Sequence, residues 1–317
     1  MIKKLFAGIL CLITSVSFAE EDMTIQGAEE LFEATKIVCM GISDEISHVS
    51  KISKVNTAVT AAGTVAAGGA LYAGIKKSQE EKEIDALVDR MCRAGGCDSE
   101  TVKNMSLEDF YNNVISPMAQ IAELQKKLEK SKKLGNWRTG LMAGTIGTNL
   151  ASAIISGVNA NQSELIQHIE ACNDMVKSVE TASMQLKAAG FNPAENPVIK
   201  KLDNVKTWCS QINTNDVEKI EKRMKGVMGT SIAGTVVGVV GTATSAAANS
   251  DKYMDAQNRI GLTDEERQKA KNLNTTANIM AGANVATGLV ETGLNISLIT
   301  LTKNLMSQAG RCEEVLQ

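Results

Sequence analysis

Residues 226–250 read GVMGTSIAGTVVGVVGTATSAAANS, without a charge or a proline. Within them Gly226, Thr230, Gly234, Gly238, Thr242 and Ala246 recur at every fourth position. That spacing lines small side chains along one ridge of a helix, where a neighbouring backbone can approach closely. Three further uncharged stretches have the same character. Residues 55–75 carry Ala58, Ala62, Ala66, Ala70 and Gly74, and residues 139–163 carry Gly140, Gly144, Thr148, Ser152 and Ser156. Residues 272–290 are looser, with Gly282 and Ala286 on one ridge and Gly288 leading to Thr292 on another. Each stretch is about as long as a membrane is thick.

Outside these stretches the periodicity stays helical. From Ala28 to about Met91 the apolar residues Leu31, Val38, Ile42, Ile46, Val49, Ile52, Val55 and Val59 keep helical spacing, which predicts one long helix or two in line. Arg93 to Gly96 breaks it, and Ser106-Leu107-Glu108-Asp109 resembles a capping box that starts a second helix running, through Pro117, to about Ala189. Residues 190–197 form the clearest linker, ending in an Asn196 cap and a first-turn Pro197. A third helix reaches Ile260, Gly261 stops it, and Thr263-Asp264-Glu265-Glu266 caps a fourth that runs to the C-terminus. The whole chain supports this all-α reading. It has 44% apolar residues, only 3 prolines in 317 residues, and 5 Phe, 3 Tyr and 2 Trp, too few aromatics for a sheet-rich fold.

The first 19 residues read as an export signal, with Lys3 and Lys4, an apolar run from Leu5 to Val16, and a Ser17-Phe18-Ala19 cleavage site. A lipoprotein reading through Cys11 is disfavoured because Leu10 stands where a small residue is expected. Cleavage leaves six of the 7 cysteines, an even number that suggests disulfides in an oxidising, periplasmic or extracellular setting.

The cysteines test the hairpin idea, because in an antiparallel hairpin residues equally far from the turn face each other. Cys39 and Cys172 have their midpoint at the Met105/Ser106 helix start, and Cys209 and Cys312 have theirs beside Gly261. Each pair is therefore expected to staple the open end of one hairpin, and Cys92 is expected to pair with Cys97 at the first tip. The expected fold is two long antiparallel helical hairpins forming an elongated four-helix bundle with Ala/Gly-rich, close-packed interfaces. After the signal at 1–19, hairpin 1 covers 20–189 with its turn near 92–105, and hairpin 2 covers 198–317 with its turn near 261–263. The hairpins also look duplicated. An offset of 171 places Ala62-Gly63-Thr64-Val65 on Ala233-Gly234-Thr235-Val236, and an offset of 138 places Met142-Ala143-Gly144 on Met280-Ala281-Gly282.

Function is less legible. The chain has 33 basic and 36 acidic residues, so it makes no basic field for nucleic acid, and its 2 histidines leave little for imidazole catalysis. A zinc site of Cys39, Cys172, His48 and His168 is conceivable by spacing, but the disulfide is favoured in an oxidising compartment. Tyr72 and Trp137 fall at mirrored levels and read as an aromatic pair closing an alanine core, Tyr253 ends the third stretch, and Glu291 and the charge run containing Lys76-Lys77 read as solvent-facing. No phosphate loop, nucleophile elbow or metal-protease motif is present, so no enzyme, cofactor, metal or small-molecule substrate is expected. The expectation is an exported structural protein, a rigid spacer or assembly component that binds a protein partner or itself. The alternative is a membrane-inserting or pore-forming protein that uses the four uncharged stretches.

Overall fold

The computed structural model of the chain describes residues 23–95 and 118–317. The protein is all-α, 90% helical, with no strand among the described residues. In chain order the helices are α1 (Ile25–Cys39), α2 (Ile42–Gly95), α3 (Met118–Val158), α4 (Ser163–Ala188), α5 (Pro197–Cys209), α6 (Thr214–Ala248), α7 (Asp251–Met254), α8 (Ala256–Ile260) and α9 (Asp264–Leu316). The export signal, the Ser106 cap and the Cys92–Cys97 pairing lie outside the described residues.

Helix ends follow local chemistry. Asn196 caps α5, its Oδ1 accepting from the Val198 amide at 3.0 Å, with Pro197 in the first turn. Thr263 and Glu266 form a reciprocal capping box at the start of α9: the Glu266 amide donates to Thr263 Oγ1 and the Thr263 amide to Glu266 Oε2. Gly190 ends α4 at φ +93°, and the Phe191 amide closes back onto the Leu186 carbonyl.

Three of the four expected helices are interrupted. The first breaks at Met40-Gly41, where Gly41 has φ +93°. The Gly41 and Ser43 amides that begin α2 both donate to Glu313 of α9 at 3.0 Å, so a carboxylate satisfies them across the fold. The second breaks between Val158 and Ser163, where Asn159 Nδ2 folds back on the Ile155 carbonyl. The third breaks between Cys209 and Thr214, where Asn213 Oδ1 accepts from the Asn215 amide, and again after Ala248. Only α9 runs unbroken, over 53 residues.

The chain divides into two compact units that cut across the hairpins rather than along them. Unit 1 comprises residues up to Ser47, Ser163–Val217 and Lys303–Gln317; unit 2 comprises His48–Gln162 and Glu218–Thr302. In unit 1, α1, α4 and α5 pack mutually around Leu31, Phe32, Ile169, Val179, Leu186, Ile199 and Leu202. Cys39 is bonded to Cys172 and Cys209 to Cys312, with Cα–Cα distances of 4.9 and 4.5 Å, the two pairs selected by the midpoint arithmetic. One cysteine comes from each of α1, α4, α5 and α9, and the sulfurs of Cys39, Cys172 and Cys312 lie within 4.8 Å of one another.

Unit 2 is built on a coiled-coil seam. From Ser53 on, the buried positions of α2 include Ser53, Asn56, Thr60, Gly63, Ala67, Ala70, Gly74, Lys77, Glu81, Ile84, Val88 and Met91, alternating steps of three and four, with Ala73 and Leu87 buried beside that seam. The same alternation holds at 121–156 in α3, 217–248 in α6 and 270–302 in α9. An average step of 3.5 is the mark of helices wound about one another. Facing residues keep a constant sum: Asn56 meets Ser156, and Ala70 meets Met142, each pair summing to 212 and mirrored about residue 106. Apolar side chains fill one end of the unit, with Ile84, Leu87, Val88, Met91, Ile121, Leu124, Leu128 and Ile260 in one cluster, and Tyr253, Met254, Leu262 and Ala270 in another.

Candidate functional site

The middle of unit 2 reverses the usual polarity of a water-soluble bundle. Its seam is polar and its outer face is apolar. Four adjoining levels of the seam show this. At the first, Asn56 Nδ2 donates to Ser156 Oγ at 2.9 Å and to Asn295 Oδ1 at 3.3 Å. At the next, Ser231 Oγ donates to Ser152 Oγ at 2.9 Å, and Ser152 Oγ to Glu291 Oε2 at 3.5 Å. The third combines Asn149 with Gly234, where an added Cβ would come within 2.5 Å of Asn149 Nδ2. At the fourth, Asn284 Nδ2 donates to Thr145 Oγ1 at 3.2 Å. Beyond them Ala70, Met142 and Ala281 form an apolar layer against which Gly241 fits without a side chain.

Past that layer sits a charged network. The Arg138 guanidinium, fully buried, donates from Nε to Ser245 Oγ at 2.8 Å, from Nη1 to Asn278 Oδ1 at 2.9 Å, and also to Asn274 Oδ1. Asn274 donates to Glu81 Oε2 at 2.7 Å, and Glu81 pairs with the fully buried Lys77. The Lys77 side chain was expected in solvent; the seam instead carries it inward, where the carboxylate four residues on compensates its charge.

On the outside, the exposed large side chains are Val55, Val65, Tyr72 and Ile75 on α2, Trp137, Leu150, Ile154 and Val158 on α3, Ile232, Val236, Val239 and Val240 on α6, and Ile279, Leu289, Val290 and Ile296 on α9. Val65 is 76% exposed and Val236 59%. Across residues 55–75, 139–163, 226–250 and 272–302 the one charged side chain is Glu291, and it is 0% exposed. Its expected solvent-facing position is thus corrected: position 291 falls on the seam, four residues after Thr287 and three after the buried Gly288. Each long helical run contains a stretch long and apolar enough to cross a membrane, of which only 28–33% is buried.

The small-residue ridges are only partly where the sequence places them. Ala70, Gly234 and Gly238 lie in the seam; Ala66 and Gly282 are half-buried; Ala58, Ala62, Gly140, Gly144 and Ala286 are exposed. A Cβ at Gly140, Gly144 or Gly282 would meet nothing within 4 Å. The reason is geometric. Steps of four advance about 400° at 3.6 residues per turn, so a fourth-position ridge winds off the face that a 3.5-residue seam keeps buried. The strict alternation of three and four, continuing from Ile42, Ile46 and Val49 into Ser53, Asn56 and Thr60, was the available signal for the polar seam residues.

Tyr72 and Trp137 do come together, but on the outside, where with Gly69, Ala73, Lys133, Leu134 and Leu141 they line an open groove of about 370 Å³. They close no core: Tyr72 is 63% and Trp137 72% exposed. Tyr253 is buried instead. The zinc constellation is not assembled, because both cysteines are in the disulfide, His48 is exposed, and His168 is held elsewhere. His168 Nδ1 lies 3.0 Å from Glu45 Oε1 and Nε2 lies 2.8 Å from the Val38 carbonyl. The Glu45 hydrogen bond, ahead of the opposing effect of burial, holds its pKa above the ordinary histidine value.

No family model, curated protein or solved structure matches the chain. Its reading rests on its own geometry.

Proposed function

We propose that unit 2 is a membrane-embedded four-helix bundle, and that the protein is an exported, non-enzymatic membrane protein whose unit 1 is a separate, disulfide-stapled helical unit. The carrying observation is the inverted polarity: valine, isoleucine and leucine point outward over four charge-free faces, while asparagines, serines and a glutamate point inward. In water this arrangement leaves a broad apolar surface unpaid by any burial, whereas lipid takes it up and close packing through glycine, alanine and serine holds the helices together. From the Asn56 level to the Gly74 level is 18 residues, about 27 Å of helix, close to the hydrocarbon thickness of a bilayer. Trp137 and Tyr72 stand at one end of that span beside Lys76 and Lys133, as interfacial aromatics do.

Orientation follows from the charge at one end of unit 2. The lysine-rich end of unit 2, with Lys76, Lys82, Lys126, Lys127, Lys130, Lys132 and Lys133, fits the cytoplasmic side. The Ala70–Met142–Ala281 layer favours a sealed bundle over a standing pore. A soluble rigid spacer, the other reading, calls for charge on the outer faces, and these four have none. The test is alkaline carbonate extraction of membranes from cells exporting the full chain. The protein is expected in the pellet, floating with lipid on a density gradient; complete release as a soluble, monodisperse species overturns the reading.

A further inference from the structure

We propose that the Glu291 level of unit 2 is a binding site for a monovalent hard cation of about the size of sodium. Three independent features converge there. First, the level offers oxygen from every helix: the Glu291 carboxylate from α9, Ser231 from α6, Ser152 from α3 and, by the constant sum of 212, Thr60 from α2. Carboxylate, hydroxyl and amide oxygens suit hard cations. Second, the carboxylate is fully buried and lacks a counter-charge. The nearest charged residues along the four helices are Lys54, Arg138, Lys225 and Lys303, at 6, 14, 6 and 12 residues from the level. They stand about 9 to 21 Å away along the helix axes. Lys54 and Lys303 are exposed, Arg138 is engaged with Ser245, Asn274 and Asn278, and Lys225 is exposed and paired with Glu221.

Third, acceptors outnumber donors. Glu291 Oε1, Asn56 Oδ1 and Asn284 Oδ1 are buried with no hydrogen-bond partner, and Asn295 Nδ2 is the one unpartnered donor near them. Buried polar atoms left unpaired are costly, and a lone buried carboxylate more so. A cation at the Glu291 level neutralises the carboxylate and takes up its unpartnered Oε1, with the Ser152, Ser231 and Thr60 hydroxyls as neutral oxygens; Asn56 and Asn284 lie about 6 and 10.5 Å further along the helix axes, outside its coordination shell. One carboxylate among neutral oxygens matches a single positive charge. At the adjoining level Gly63, Gly234 and Gly288 are packed against Thr148, Asn149 and Thr64, which bounds the site on that side. This inference does not depend on what covers the outer face, since the interior is the same against lipid or water.

Thermal unfolding of the purified, oxidised full chain in detergent at about pH 8, well above the ordinary carboxylate range, tests it. Sodium chloride is compared with choline chloride at equal ionic strength. Wild type is expected to gain about 5 °C in Tm with saturating sodium over choline, by mass action on the folded state. The neutral isostere Glu291→Gln is expected to melt at the same temperature in both salts. Ser231→Ala, which removes one oxygen without touching the charge, is expected to raise the sodium midpoint by about tenfold. Line broadening of the sodium-23 resonance by wild type, absent with Glu291→Gln, reads occupancy directly. Equal wild-type Tm in sodium and choline, with no broadening, overturns the proposal, as does a sodium shift that persists undiminished in Glu291→Gln. Carbonate extraction reads the membrane assignment separately, so either can fail alone.

Discussion

Replacing Val65 and Val236 with arginine separates a lipid-facing surface from a water-facing one. Both side chains point outward, 76% and 59% exposed, on α2 and α6, and the offset of 171 that relates the seams of these helices puts them at the same level. Val65 lies midway between Asn56 and Gly74, nine residues from either, so about 13.5 Å of helix separates it from each end of the span. That is too far for an arginine stem to carry its guanidinium fully to the interface. On an insertion scale an arginine at the helix centre costs about 2.5 to 3.5 kcal/mol, and loss of the valine adds about 0.3 to 0.6. Each substitution is therefore worth about 3 to 4 kcal/mol, and the two on separate helices about 6 to 8. In water the same changes at exposed positions stay within about 0.5 kcal/mol each.

Carbonate extraction and flotation of the double variant, with Ile37→Arg in unit 1 as the control, provide the assay. Ile37 is 66% exposed but lies outside the uncharged bands, so its substitution is expected to leave membrane retention unchanged. The double variant is expected to lose most of its membrane-bound fraction or to be degraded. Retention equal to wild type, with unchanged Tm, refutes the lipid-facing assignment. A wild type that is soluble and oligomeric, dissociating on arginine substitution, would show instead that the bands cover one another in a self-associated protein.

Three other outcomes follow from particular contacts. Gly288→Ala, whose new Cβ would meet Thr64 at 2.3 Å on Oγ1 and 3.4 Å on the backbone Cα, is expected to destabilise by about 1 to 3 kcal/mol, whereas Gly144→Ala, which meets nothing, is expected to stabilise by about 0.5 to 1; thermal or denaturant unfolding reads both signs. Replacing Cys39 and Cys172 together by serine removes a staple across 133 residues and is expected to cost about 4 to 5 kcal/mol in denaturant unfolding, more than any single seam glycine. The imidazolium of His168 donates from both nitrogens, to Glu45 and to the Val38 carbonyl, so its folded pKa is raised and its contribution is complete below the ordinary histidine pKa and lost as pH rises through the folded value. An NMR titration is expected to place His168 above the ordinary histidine value, and Glu45→Gln to lower it; a His168 titrating below that value would contradict the ion pair.

What the sequence discloses depends on which physical rule applies. The cysteine midpoints read correctly because antiparallel helices of equal rise keep facing residues at a constant sum, whatever their side chains are. Asn196-Pro197 and Thr263-Glu266 read correctly because capping is settled within four residues. The interior of unit 2 did not, because hydrophobic periodicity assumes that apolar means inward. There Val55, Val65 and Val236 are the outer face, and Asn56, Asn149 and Asn284 the inner one, so the usual rule selects the wrong side. The breaks at Gly41 and after Val158 were hidden for another reason: isolated glycines and asparagines are frequent within the helices too, and only tertiary contacts such as Glu313 on the Gly41 and Ser43 amides single out the ones that stop a helix. The second offset, 138, places the seam residue Met142 on Met280, next to the seam residue Ala281, a slip of one residue that the alanine- and glycine-rich composition cannot reveal.

The uninterrupted alternation of three and four in unit 2 also restricts how such a chain can change length over time. Loss or gain of one residue in α2 rotates everything beyond it by about 100°, which carries Glu81 out of the seam and Glu80 or Lys82 in, or Asn56 out and Val55 or Thr57 in. Insertions that preserve every inner and outer face come in sevens, and all four helices must accept them at the same level for facing residues to keep their sums. The bundle can therefore lengthen only in increments of about 10.5 Å, a step far coarser than the few ångströms by which one bilayer differs in thickness from another. Adaptation to a different membrane is left to tilt and to side-chain exchange at the ends of the span, and the number of residues within it is expected to be among the least variable properties of the protein.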